Sequence, residues 1–207
     1  MSVLGNNYIY LLFTRSNTLM SRAIFLFTND NYTHVSISTD DALEDFYSFG
    51  RRVPHMMLPA GFTKESVYGG LYSKDGQIPC KLVRIQAEKR DINKVEAILA
   101  FCYEHRFQYK YSIIGTIMCK LGIRYKRMQH RFCSQFVSEL LQECQIREKN
   151  RDPSLIRPSQ LADEPYVHTM FEGDMQGLRD WMEQTAEIHP YIVQFEGYRL
   201  ARETDAC

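Results

Sequence analysis

Residues 132–140 read FCSQFVSEL. Continued through Cys144, the run carries Phe136, Val137, Leu140 and Leu141 at helical spacing, with no proline or glycine to break it, so the pattern predicts an amphipathic helix over Cys133–Cys144. Cys133 stands at the start of that helix. Just upstream, Arg124, Lys126, Arg127, His130 and Arg131 make a local basic run. A helix N-terminus and nearby cations both favour thiolate over thiol, and only the thiolate is a good nucleophile. The backbone N–H groups from Ser134 onward are placed to help stabilise an oxyanion. The competing reading is a small core residue at a helix start, the commonest fate of a free cysteine.

A second stretch, YTHVSIS at residues 32–38, alternates polar and apolar side chains and predicts a strand over Thr33–Ser38. Val35 and Ile37 fall on one face, and His34 shares the other with Ser36 and Ser38. A cysteine and a histidine need only meet in space to act as nucleophile and base. His55, His105, His130, His168 and His189 show no metal-site spacing, and no metal or other cofactor is expected.

Around these two stretches, Tyr8–Thr14 and Pro79–Ala87 read as strands. So does Asp45–Phe49, ended by Gly50 and paired with the histidine strand as a hairpin-like unit. Helices are expected over Asn17–Thr28 (capped by Ser16), Asp91–Tyr103 and Tyr109–Leu121. Arg51 to Gly76 holds two prolines and four glycines and reads as a long loop, placed to rim a cleft. Pro153–Pro165 reads as another loop, the segment through Trp181 as mixed, and the last 26 residues as weakly patterned. Strands followed by helices, then strands again, predict an α+β fold with an antiparallel sheet packed by helices.

The bulk numbers bound the function class. A chain of 207 residues suits one domain, here 1–207 with a core over about 8–175 and an extension over about 182–207. Lys plus Arg and Asp plus Glu both total 25, so nothing overall selects for nucleic acid. The basic run could still meet phosphate or an anionic lipid headgroup, or simply be solvated. The six cysteines include no C-x-x-C pair, which favours free thiols in a reducing compartment. With no signal-peptide pattern and no apolar run long enough to span a bilayer, the expectation is a cytoplasmic chain without stable membrane insertion.

At this point the sequence resembles the permuted NlpC/P60-type, papain-like cysteine hydrolases of the YiiX/YebB-like group. The matching segments are Tyr8–Thr14, SRAIFLFT (21–28), YTHVSIS (32–38), YSFGR (47–51), GFTKE (61–65), FCSQFVSEL (132–140) and RPSQL (157–161), in order along most of the chain. The resemblance implies a circularly permuted papain-like fold, with the histidine strand ahead of the cysteine helix. It implies Cys133 as nucleophile, His34 as base and a polar third residue on the following strand, where the matching position is Ser48. A serine there can orient the imidazole but carries no charge to stabilise an imidazolium. The resemblance implies a thiol-dependent amidase or peptidase-like hydrolase, working through a thioester on a small-molecule, peptide or acyl-lipid substrate. Two other readings stay open: a lipid acyltransferase of the lecithin:retinol acyltransferase type, and a non-catalytic binding module on the same fold, which the uncharged Ser48 motivates.

Overall fold

The computed structural model describes residues 7–15, 30–53, 58–70, 72, 76–146 and 151–185. The expected helix Asn17–Thr28, His55, His189, Cys207 and almost all of the last 26 residues lie outside the described residues.

The fold is α+β. Eight strands form one sheet: β1 (Tyr8–Thr14), β2 (His34–Ser38), β3 (Phe46–Arg51), β4 (Ala60–Glu65), β5 (Pro79–Gln86), β6 (Lys110–Tyr111), β7 (His130–Arg131) and β8 (His168–Asp174). Their order across the sheet is β7-β6-β4-β3-β2-β1-β5-β8. Every pairing is antiparallel except β6 with β7. The helices are α1 (Lys89–Glu104), α2 (Ile113–Lys120), α3 (Cys133–Glu143), the short α4 (Pro158–Ala162) and α5 over 175–185.

Strand alternation sorts the core onto two faces. In the β1–β2 ladder Phe13 pairs with Val35 and Leu11 with Ile37. These apolar residues join Ile92, Val95 and Leu99 of α1 and Phe136, Val137, Leu140 and Leu141 of α3 in one cluster. Tyr10, Leu12, Phe46 and Leu82 face the other way, toward Val67, Tyr72, Met175 and Leu178 of the opposite layer. Burying a side chain of this size fully is worth about 1.5–3 kcal/mol. The clusters therefore lock the register of the central strands, because a one-residue slip would invert both faces. The alternation read from YTHVSIS holds: His34 pairs with Thr14 and Ser36 with Leu12 on the same face.

Four sequence expectations are corrected. The strand after Asp45 does not stop at Gly50 but continues to Arg51. The proline- and glycine-rich stretch from Arg51 contains β4, which pairs with β3 over six residues from Phe46↔Glu65 to Arg51↔Ala60. Tyr109–Leu121 is not one helix. Lys110 and Tyr111 pair with His130 and Arg131, and Ser112 then caps α2 by accepting the Gly115 N–H at 3.1 Å. The loop expected over Pro153–Pro165 contains a 3₁₀ turn at Pro153–Leu155 and α4. Both begin with proline at a first-turn position, where its missing N–H costs nothing.

Candidate active site

Helix α3 begins at Cys133, as its apolar spacing predicts. The preceding residue, Phe132, has extended backbone and provides no side-chain cap. The first amides of an α-helix have no intrahelical partner, so this uncapped end presents donors and the positive end of the helix dipole beside the sulfur. The Ser134 hydroxyl donates to the Ile156 carbonyl at 2.7 Å. That bond anchors the helix start and takes the Ser134 hydroxyl out of use, so Ser134 has its backbone N–H to offer an oxyanion.

His34 is the first residue of β2 and forms the last pair of the β1–β2 ladder. Its Nε2 lies 3.0 and 3.1 Å from the two carboxylate oxygens of Glu65. Cys133 is the ring's other polar neighbour, and its side chain, like the Glu65 carboxylate, raises the basicity of the imidazole. The pair is sheltered, with side-chain exposures of 20% for His34 and 17% for Glu65. Burial alone would lower the basicity of the imidazole. The Glu65 carboxylate and the nearby Cys133 side chain outweigh that effect and hold the His34 pKa well above the ordinary histidine value.

Glu65 is supported in turn. Tyr72, itself buried, donates its hydroxyl to the second Glu65 oxygen at 3.3 Å, and Thr14 Oγ1 lies 3.4 Å from the same phenol oxygen. Burial, then the neighbouring carboxylate, pushes the Tyr72 pKa far up, so the phenol keeps its proton as a donor. Gly50 lies beneath this pair. A Cβ there would stand 3.0 Å from Glu65 Oε1 and 3.5 Å from His34 Cε1.

Of the residues singled out in the sequence, Cys133 and His34 are brought together and Ser134 follows the sulfur. Ser48 is not part of the group. It is fully buried, and its hydroxyl donates to the Val35 carbonyl at 2.6 Å, tying β3 to β2. The imidazole partner is Glu65 instead, one strand further along the sheet. GFTKE was among the matching segments, but its placement in a loop concealed the carboxylate. The signal that could have revealed it is the Phe62-Thr63 pair, strand-forming residues between Gly61 and Lys64.

Cys133 is 3% exposed and lies on the wall of a small, open cleft. Tyr111, Thr116, Cys119 and Lys120 line one side, and Asp30, Thr33, Arg157 and Pro158 another. Arg157 Nη1 grips both Asp30 oxygens at 3.0 and 3.1 Å across that second wall. Burial raises the Cys119 thiol, the other sulfur in the cleft, to about 11, which keeps it neutral near neutral pH. The five described cysteines are all free. Among the described residues, no group of three or more His, Cys, Asp or Glu side chains converges as a metal site would. No described helix is long and apolar enough to cross a membrane.

No protein-family model, no curated protein and no solved structure matches this chain.

Proposed function

We propose that the chain is a thiol-dependent hydrolase with a circularly permuted papain-like fold, cleaving an amide or ester through a thioester on Cys133. The observation that carries this reading is the relay Glu65–His34–Cys133, with an imidazole held between a carboxylate and a sulfur at a helix N-terminus. His34 ahead of Cys133 in the chain matches the permuted order. In the first step the Cys133 proton passes to His34, Sγ forms a bond to the substrate carbonyl carbon, and the carbonyl electron pair moves onto oxygen. The backbone N–H groups of Cys133 and Ser134 stabilise that oxyanion. Collapse expels the leaving amine or alkoxide, which takes the proton held by His34. Water, deprotonated by His34, then adds to the thioester, and the acid departs as Cys133 returns to its starting state. Glu65 orients the imidazole, the role expected of Ser48, and adds the charge that stabilises an imidazolium, which a serine lacks. The free, buried thiols fit a reducing, cytoplasmic setting.

An acyltransferase of the lecithin:retinol acyltransferase type shares the first half of this scheme. The observation in its favour is that α2, one wall of the cleft, exposes Ile113, Ile114 and Ile117 beside it. The non-catalytic reading rested on an uncharged third residue, and Glu65 removes that motive.

The test is alkylation by iodoacetamide near neutral pH, followed by intact-mass and peptide analysis. One rapid adduct on Cys133 is expected, absent in Cys133→Ala, with Cys119 untouched. A Cys133 that reacts no faster than an ordinary thiol of pKa about 8.5 would sink the enzyme reading.

A further inference from the structure

Helix α2 packs only Gly115 and Cys119 into the protein. Ile113, Ile114, Ile117 and the following Leu121 fall along one stripe, and the last three are 50%, 51% and 65% exposed. Gly122, at φ +70°, ends the helix in a left-handed turn, with its N–H on the Cys119 carbonyl and the Ile123 N–H on the Met118 carbonyl. Ile123, just past that turn, is also half exposed, and Met128 beyond it is 87% exposed. This apolar surface needs an occupant.

The charge of the segment itself is one-sided, and acidic partners from elsewhere answer only part of it. Residues 105–138 contain seven Lys and Arg and no Asp or Glu, in a chain whose net charge is zero. Arg124 and Lys126 reach Asp152 at 3.8 and 3.2 Å, and Arg131 pairs with Glu139. Lys110 and Arg127 are exposed on the same segment. Aliphatic side chains on one stripe with long basic side chains beside them are what an anionic bilayer surface takes. The aliphatics enter the headgroup–acyl boundary, and the cations meet lipid phosphates. A protein-binding centre would be richer in Trp and Tyr.

We propose that α2 and the turn to Met128 form a docking surface for an anionic phospholipid bilayer. Thr116, Cys119 and Lys120 of the same helix line the Cys133 cleft, so docking sets the cleft beside the lipid headgroups. The docking itself does not depend on any chemistry at Cys133.

Co-sedimentation with vesicles of equal parts phosphatidylcholine and phosphatidylglycerol tests this. The full chain should pellet with them, release as salt rises, and stay in solution with phosphatidylcholine alone. The double variant I114D/I117D, changed only at exposed positions and checked by circular dichroism, should lose binding by more than about tenfold. R127E should lose on the order of tenfold. Cys133→Ala should bind like the parent, which separates this proposal from the hydrolase reading. No pelleting, or pelleting unchanged in I114D/I117D, overturns it. So does a wild-type dimer that I114D/I117D converts to monomer without any vesicle binding, because a second copy then covers the face.

Discussion

His34 Nε2 sits almost equidistant from the two Glu65 oxygens, at 3.0 and 3.1 Å, although 31 positions of chain separate the two residues. The antiparallel β2–β3 and β3–β4 pairings fold that chain back twice, so a carboxylate two strands away becomes the neighbour of the imidazole. Ser48, on the strand between them, is closer in sequence yet spends its hydroxyl on Val35.

Glu65→Gln keeps the shape of the side chain and removes its charge. Its amide can also present a donor to Nε2 and select the wrong tautomer. On the hydrolase reading, kcat should fall on the order of a hundredfold or more. The alkaline limb of the pH–rate profile should move to lower pH, because the raised pKa of His34 depends on that carboxylate. Steady-state kinetics across pH read both effects, and an unmoved limb would show that Glu65 does not act through His34.

The same pair makes a stability prediction that needs no substrate. The folded-state pKa of His34 lies above its unfolded value near 6.5. Its contribution is therefore fully present below about pH 6.5 and is lost as pH rises through the raised folded value. Urea unfolding of the parent and of His34→Gln should differ most on the acid side of that window and converge on the alkaline side. A gap that widens as pH rises would reverse the assigned sign.

Ser48→Ala separates structure from chemistry. It removes a buried hydroxyl bonded to the Val35 carbonyl at 2.6 Å. Stability should drop by about 1 kcal/mol. Turnover, measured under conditions where the variant is folded, should stay within about twofold of the parent, since Glu65 rather than Ser48 holds the imidazole. A large loss of kcat in a stable variant would return Ser48 to the site.

Gly50→Ala tests the packing beneath the relay. The added methyl would stand 3.0 Å from Glu65 Oε1, so the carboxylate must give by a few tenths of an ångström, which loosens its hold on Nε2. Turnover is expected to fall about tenfold at a stability cost of about 1–3 kcal/mol. The shift should also lower the His34 pKa, read from the imidazole proton resonances. An unchanged titration in a folded variant would mean that Glu65 has room to stay.

Much of this arrangement was legible before any coordinates. Strands at Tyr8–Thr14 and near Thr33–Ser38, and helices near Asp91–Tyr103 and Cys133–Cys144, carry strong periodicity, and each appears within a few residues of its expected bounds. Where reading failed, local chemistry was outvoted by pairing. The β4 segment buries only Gly61 and Phe62 and lies in a stretch with prolines and glycines, so its own pattern is weak. It becomes a strand because β3 offers a ladder six residues long. Lys110 and Tyr111 leave the expected helix for the same reason, held between β4 and β7.

Sequence by itself determined the α+β class, the helix that starts at Cys133 and the face on which His34 sits, because apolar spacing is a local property that burial enforces directly. Only the tertiary structure decided that Glu65 rather than Ser48 meets the imidazole, and that α2 leaves its isoleucines in solvent. Both depend on strand neighbours and layer coverage, which arise from contacts between distant parts of the chain and leave no periodic trace in the residues themselves.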